Sequence, residues 1–126
     1  MRKYTDKYLL RLWRQAVLKE YDSKCFICGN TVLNEIDCHH IVKRRNRILR
    51  YDYWNGIPVC RMGCHNDIDS IAGRDILRDR IPTKIDYCAF YERMTLKEYL
   101  SSHSMTRDEF YFEKAENLKY IIRGEE

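Results

Sequence analysis

The sequence predicts an α+β fold in which a small mixed core lies between helical arms. Apolar residues recur at helical spacing near both ends of the chain, and two short runs with strand character lie between them. Two closely spaced cysteine pairs bracket these runs, which indicates that a metal ion holds the core. We expect one domain over residues 1–126, with an N-terminal helix in 1–24, the core in 25–75 and a helical region in 76–126.

The N-terminal helix is predicted from Thr5 to Tyr21. Its large apolar side chains recur every three or four residues, which places them on one face of the helix. These side chains are Leu9, Leu12, Trp13, Ala16 and Val17. The polar run Asp22–Lys24 is then expected to end the helix.

The core is predicted to contain two short extended segments. Residues 34–42 form one strand candidate, and residues 57–60 form the other. Because Pro58 has no backbone N–H, the second segment is excluded from the centre of a sheet. Asn55 and Gly56 give a turn signal directly before it.

The chain after the core is predicted to be helical. One helix is expected from Cys64 to Ala72, ended by Gly73, and a second from Arg74 to Arg80, which stops before Pro82. Two capping boxes then mark further helix starts, because each pairs a threonine with a glutamate three residues later. The boxes are Thr95 with Glu98 and Thr106 with Glu109, and the apolar stripe behind the second is Tyr111, Ala115, Leu118 and Ile122.

The composition is that of a globular protein, with 44% hydrophobic and 33% charged residues. No apolar run approaches the roughly 18 residues needed to cross a bilayer, and no signal peptide is recognisable. We therefore expect a soluble protein in the cytoplasm of a bacterial or phage-infected cell. The net charge of +4 is too small to identify a partner by itself.

A basic stripe follows the two central histidines. From His39 to Arg50 the chain has no acidic residue and five basic ones, which are Lys43, Arg44, Arg45, Arg47 and Arg50. Clustered Lys and Arg side chains bind the phosphates of nucleic acids, so the stripe fits a polyanionic partner. A solvated loop explains the stripe equally well when it is considered alone.

Four cysteines have the spacing of zinc ligands. Cys25 and Cys28 form one pair, and Cys60 and Cys64 form the other. One turn of chain can supply two corners of a tetrahedral zinc site when its cysteines are two to four residues apart, so we predict structural Zn²⁺. Two pairs of unrelated buried thiols are the alternative. The remaining cysteines, Cys38 and Cys88, are expected to be small buried side chains.

Three segments resemble the HNH endonuclease motif, which is named for its His, Asn and His. They are Asp37-Cys-His-His-Ile-Val42, Tyr53-Trp-Asn-Gly-Ile-Pro-Val-Cys60 and Cys64-His-Asn-Asp-Ile-Asp69. The resemblance covers roughly residues 25–75 and is closest to the zinc-containing branch of these His-Me finger nucleases, in which two cysteine pairs bracket the nuclease element. It implies a ββα-metal core, in which a hairpin and a helix hold one divalent ion.

The resemblance also implies roles for individual side chains. His40 matches the general base, and Asn55 matches the asparagine that braces the loop and the base. His39 and His65 match ligands of the catalytic ion, and Asp69, four residues after His65 on the same helix face, is a further ligand candidate. Adjacent residues of a regular strand face opposite sides, so one of the two strand histidines is alternatively expected to pack or to face solvent.

The activity implied by the resemblance is hydrolysis of DNA phosphodiester bonds with Mg²⁺ or Mn²⁺, or alternatively Ni²⁺ or Zn²⁺, as the catalytic ion. The DNA backbone would be bound by Lys43, Arg44, Arg45 and Arg47. Branched or recombination DNA is one expected substrate. The protein is expected to be a monomer or homodimer and not to associate with a membrane. The alternatives are a non-catalytic zinc-stabilised module that binds nucleic acid and a zinc-containing adaptor that binds a protein.

Overall fold

The computed structural model describes residues 4–64, 68 and 71–124. Within them the chain forms five helices and one two-stranded antiparallel sheet, which confirms the α+β class. In chain order the elements are α1 (Asp6–Glu20), β1 (Ile36–His40), β2 (Gly56–Cys60), α2 (Ile71–Arg80), α3 (Pro82–Tyr91), α4 (Leu96–Ser102) and α5 (Arg107–Arg123). None of these helices combines the length and the apolar character needed to span a membrane.

Helix α1 begins and ends close to the predicted positions. The hydroxyl of Thr5 accepts a hydrogen bond from the backbone N–H of Tyr8 at 3.1 Å and so caps the first turn. After the helix, Asp22 and Ser23 adopt left-handed φ angles of 53° and 57°, which turn the chain away from the helix axis. The predicted apolar face is the buried one, and it consists of Leu9, Leu12, Trp13, Ala16 and Val17.

Strands β1 and β2 form a hairpin whose register determines where the central histidines point. Ile36 pairs with Cys60 at one end of the hairpin, and His40 pairs with Gly56 at the other. Pro58 is tolerated in β2 because each strand of a two-stranded sheet is an edge strand. Strand β1 is shorter than predicted, since a 3-10 turn precedes it and the chain leaves the sheet after His40.

The predicted helix end at Gly73 is wrong. Helix α2 continues through Gly73, which is buried within it. A glycine inside a helix costs only about 1 kcal/mol relative to alanine, and tertiary packing can override that preference. The chain instead changes direction at Ile81, and Pro82 occupies the first turn of α3, where its missing N–H costs no hydrogen bond. Most of the segment between Cys64 and Gly73 lies outside the described residues.

Both predicted capping boxes are confirmed. The backbone N–H of Glu98 donates to the Thr95 hydroxyl at 3.1 Å, and the Glu98 carboxylate accepts from the Thr95 N–H at 3.2 Å. Thr106 and Glu109 make the same reciprocal pair at 3.1 and 2.9 Å. Each pair satisfies backbone donors that the first turn of a helix leaves free, and so fixes where α4 and α5 begin.

The hairpin is covered on both faces by apolar side chains. On one face α1 packs between the hairpin and α5, in a cluster that includes Leu9, Leu12, Trp13, Ala16, Val17, Tyr51, Ala115 and Leu118. The other face is covered by a second cluster, formed by Cys25, Phe26, Ile57, Val59, Ile68 and Leu77. A third cluster joins the long inter-strand connection to α4 and α5 through Ile48, Leu96 and Phe110. Side chains on the two faces of β1 therefore enter different environments.

The close approach of α1 to β2 requires a glycine at position 56. A Cβ atom there would lie 2.5 Å from Val17 Cγ2 and 2.6 Å from Trp13 Cζ2. We predict that Gly56→Ala lowers the free energy of unfolding by about 1–3 kcal/mol, as overpacking of a filled core does. Urea denaturation of the purified protein would measure this change. Adding Val17→Ala should relieve part of the clash, so strictly additive effects of the two substitutions would contradict the prediction.

Candidate metal centre and basic groove

The four predicted zinc ligands lie together at one end of the hairpin. Cys25 and Cys28 are in the turn after α1, Cys60 is the last residue of β2, and Cys64 follows four residues later. Their sulfur atoms all lie within 4.8 Å of one another, although 31 residues separate Cys28 from Cys60 in the chain. The cluster predicted from the spacing is confirmed as a group that can hold a metal ion.

Two glycines in left-handed conformations shape the turns that present these sulfur atoms. Gly29 has φ 78°, and its N–H donates to the Cys25 carbonyl at 3.0 Å, which closes the first turn. Gly63, directly before Cys64, has φ 85°. Left-handed φ angles favour glycine because it has no Cβ. Gly63 could have been found from the sequence, since it lies directly before a cysteine of the second pair.

The geometry of the cluster fits zinc. Four thiolates at about 2.3 Å from a tetrahedral ion lie about 3.8 Å apart, and the Sγ atoms of Cys28 and Cys60 are 3.5 Å apart. Burial raises the pKa of Cys25, but hydrogen bonds from backbone groups of Cys28, Cys60 and Ile27 outweigh it and lower the pKa to about 6. A thiolate, the form in which cysteine binds metal, is thus favoured at Cys25. At Cys64, burial and then the neighbouring Cys25 and Cys28 raise the thiol pKa to about 12.

The two other cysteines lie outside this cluster. Burial raises the pKa of Cys38 to about 11, although the nearby Arg14 guanidinium acts in the opposite direction. Cys88 is buried in α3, and burial and then the charge of Asp52 raise its pKa to about 12. Neither thiol belongs to the cluster of four. Cys88 is buried as predicted, whereas Cys38 is only half-buried.

His39 and His40 lie on opposite faces of the hairpin. His39 pairs with Ile57, whose side chain belongs to the cluster with Ile68, and it lines an open groove on that face. His40 pairs with Gly56 and lies against α1. The strand is regular through its last residue, so alternation separates the two side chains.

His40 is held in a closed environment. Its ring stacks on Trp13 with the centroids 3.8 Å apart, and its Nε2 donates to the Arg50 carbonyl at 2.9 Å. Burial is the main cause that lowers the pKa of His40 to about 4, and the charge of Arg44 lowers it further. These contacts are those of a side chain that packs, whereas a general base needs access to the proton that it removes.

Asn55 braces the loop that follows β1. Its side chain is fully buried, its Oδ1 accepts from the Val42 N–H at 2.7 Å, and its Nδ2 donates to the Val42 carbonyl at 2.9 Å. The same Nδ2 donates to the Leu49 carbonyl at 3.2 Å, and the Asn55 carbonyl accepts from the Ile41 N–H at 3.1 Å. These bonds satisfy backbone groups of a buried connection that no strand partner reaches.

The groove beside His39 is rimmed by basic side chains. Its volume of about 1170 Å³ exceeds the roughly 300–1,000 Å³ of pockets that enclose small ligands, so its size suits a polymer. The described lining contains two acidic side chains, Asp75 and Glu92, and six basic ones, which are Lys43, Arg45, Arg47, Arg74, Arg78 and Arg93.

Three of the four basic residues predicted to bind DNA lie in this groove, and the fourth does not. Lys43, Arg45 and Arg47 line it, whereas the Arg44 guanidinium lies 3.8 Å from the Asp6 carboxylate, at the start of α1. Sequence reasoning missed the cations from the helical region. The spacing of Arg74 and Arg78, four residues apart on a predicted helix, was the signal that could have found two of them. His65 and Asp69, the other predicted ligands of a catalytic ion, lie outside the described residues.

Comparisons with known proteins identify no relative of this chain. No protein-family model, curated protein or solved structure matches it. The similarity of residues 25–75 to the HNH motif therefore depends on the motif residues themselves.

We predict that Cys28→Ser abolishes stoichiometric zinc binding and lowers the thermal unfolding midpoint, because the free energy of metal binding contributes to folding. Zinc content would be measured by elemental analysis of the purified protein. Cys38→Ser is the matched control, since it makes the same chemical change at a thiol outside the cluster and should retain zinc. Equal zinc content in the two variants would contradict a structural site at the four cysteines.

The environment of His40 predicts a loss of stability in acid. Its pKa is about 4 in the folded protein and about 6.5 when exposed, so the unfolded state binds more protons between these values. The stability present above pH 6.5 should therefore fall by about 3 kcal/mol as the pH drops through 4. His40→Phe keeps a planar ring beside Trp13 and removes the titration. Parallel stability–pH curves for the two proteins in urea denaturation would refute this prediction.

Proposed function

We propose that the protein is a metal-dependent DNA endonuclease of the HNH type, which hydrolyses phosphodiester bonds in the basic groove. The observation that best supports the proposal is the position of His39, which lines a groove that carries six cationic side chains. A neutral imidazole can accept a proton near pH 7, and the surrounding cations attract the phosphate backbone that would be cut.

His39 is the best candidate for the general base. Among the described residues, it is the only one of the predicted catalytic side chains that lines the groove. His40, which matches the family's base in the motif, uses its Nε2 on the Arg50 carbonyl and its ring face on Trp13. We therefore assign removal of the proton from the attacking water to His39, and a packing role to His40.

His65 and Asp69 remain the proposed ligands of the catalytic ion. They offer an imidazole and a carboxylate, a donor set that suits Mg²⁺, Mn²⁺ or Zn²⁺. When bound, such an ion supplies positive charge for the phosphate and the leaving oxygen. Asn55 supports the site indirectly, because its bonds to Val42 and Leu49 fix the chain that follows His39 and the loop that carries Lys43, Arg45 and Arg47.

A non-catalytic zinc-stabilised module that binds nucleic acid is the second candidate. It is favoured by the closed environment of His40, which leaves one described histidine in the groove. The same basic lining would then bind DNA without cutting it. Both candidates require the cysteine cluster and the groove, and they differ only in whether a phosphodiester bond is broken.

Conversion of supercoiled plasmid to nicked circles with Mg²⁺ or Mn²⁺ would decide between the two. We predict cleavage by the natural protein and a loss of at least 100-fold in rate for His39→Ala, the scale expected when a general base is removed. Zinc content should stay unchanged, because His39 lies outside the cysteine cluster. DNA affinity should stay unchanged, because the groove keeps its six cationic side chains. His103→Ala is the control, since His103 is exposed on another part of the chain.

Two outcomes would overturn parts of this proposal. If His39→Ala cut DNA at the natural rate while a folded His40→Phe protein did not, the general base would be His40. If the natural protein bound DNA but cut neither duplex nor branched substrates with any divalent ion, the binding module would be correct.

A further inference from the structure

The groove has two basic walls that come from separate parts of the chain. The loop wall comes from the connection after β1 and consists of Lys43, Arg45 and Arg47. The helical wall consists of Arg74 and Arg78 on α2 and Arg93, two residues after the end of α3. The loop wall coincides with the basic stripe of the sequence, whereas the residues of the helical wall lie outside that stripe and were not predicted to bind DNA.

The cations of the helical wall have no partner in the part of the chain that the structure describes. Within residues 4–64, 68 and 71–124, the guanidinium groups of Arg74, Arg78 and Arg93 make no ion pair and no hydrogen bond. All three side chains are exposed. Cations gathered around a concave surface raise its positive potential and the local concentration of anions. The helical wall therefore has charge available for an anionic ligand.

A buried asparagine fixes one wall to the other. Asn46 is 9% exposed, and its Nδ2 donates to the carbonyls of Tyr91 and Glu92 at 2.9 and 3.1 Å, at the end of α3. Its Oδ1 accepts from the N–H groups of Ile48 and Leu49 at 3.1 and 3.0 Å. The loop wall is thus tied to the end of α3 before any ligand arrives, and a preformed site binds without a large ordering cost.

Between the walls the groove is lined by aliphatic side chains. They are Ile41, Val42, Ile68, Leu77, Met94 and Leu96. A lining of this kind accepts sugar and base surfaces, while the cations at the rim reach phosphates. The combination suits a ligand that alternates anionic and less polar parts, which describes a nucleic-acid strand.

We propose that the helical wall binds backbone phosphates, so that the groove holds a DNA strand from both sides. Arg74, Arg78 and Arg93 are the new contact residues, and they supply affinity without reading sequence. The inference rests on the proposed function for the identity of the ligand as DNA. It is independent of whether the bound strand is cut.

The salt dependence of DNA binding tests this inference, because each phosphate contact contributes to its slope. We expect Arg74→Gln/Arg78→Gln to weaken binding and to reduce the slope of log K against log salt by about 1.8 for duplex DNA or about 1.4 for a single strand. Fluorescence anisotropy of labelled single-stranded and duplex DNA, without divalent ions, would provide both slopes and show which form the groove prefers.

Lys97→Gln/Arg107→Gln is the matched control. It removes the same charge from exposed residues that do not line the groove, and it should leave the slope near that of the natural protein. Equal slopes for the two double variants would overturn the inference, provided that zinc content and thermal unfolding show both to be folded. No binding of either DNA by the natural protein would overturn it together with the proposed function.

The two proposals fail in different ways. Loss of binding in Arg74→Gln/Arg78→Gln without any cleavage by the natural protein would support the helical wall and reject the nuclease. Cleavage by the natural protein together with an unchanged salt slope in the double variant would support the nuclease and reject the helical wall.

Discussion

The amide of Asn55 joins the parts of the molecule on which the groove depends. It bonds both backbone groups of Val42, it reaches the Leu49 carbonyl, and it accepts a longer contact of 3.6 Å from the Cys88 thiol of α3. A connection this long between paired strands has few partners of its own for its buried peptide groups. The Asn55 side chain thus links the end of β1, the basic loop and α3. Further along the loop, the Asn46 side chain links the loop to the end of α3 in the same way.

The cysteine cluster and His39 occupy different ends of the hairpin. Cys60 closes β2 beside Ile36, whereas His39 pairs with Ile57, three residues away along the strand. At about 3.4 Å per residue this separation is about 10 Å, too far for one ion to serve both positions. An ion held by the cysteines would therefore stabilise the turn after α1 and the end of β2. The chemistry proposed for the groove needs a separate ion.

The sequence was sufficient to predict the features that depend on neighbours in the chain. The ends of α1, the capping boxes at Thr95 and Thr106, and the cysteine pairs follow from spacing, because their partners are at most four residues apart. The orientation of His39 and His40 could not be resolved in this way. It depends on which helix covers which face of the hairpin. The helical wall was missed for the same reason, since the loop that faces it is distant in the chain. The helix end predicted at Gly73 was wrong because packing outweighed the preference of glycine for helix ends.

The placement of two adjacent histidines on opposite faces separates the pressures under which each would evolve. His40 contributes a flat ring beside Trp13 and a donor to a carbonyl, and other planar or donor side chains could replace parts of that role. His39 is as buried as His40, at 8% against 9% exposed, but it lines the groove in which the proposed chemistry would take place. Under the proposed function, a lineage that lost DNA cleavage would release the chemical constraint on His39, while the packing constraint on both histidines would persist. Under that proposal, the residue at position 39 would record whether an ancestor kept the activity or only the architecture.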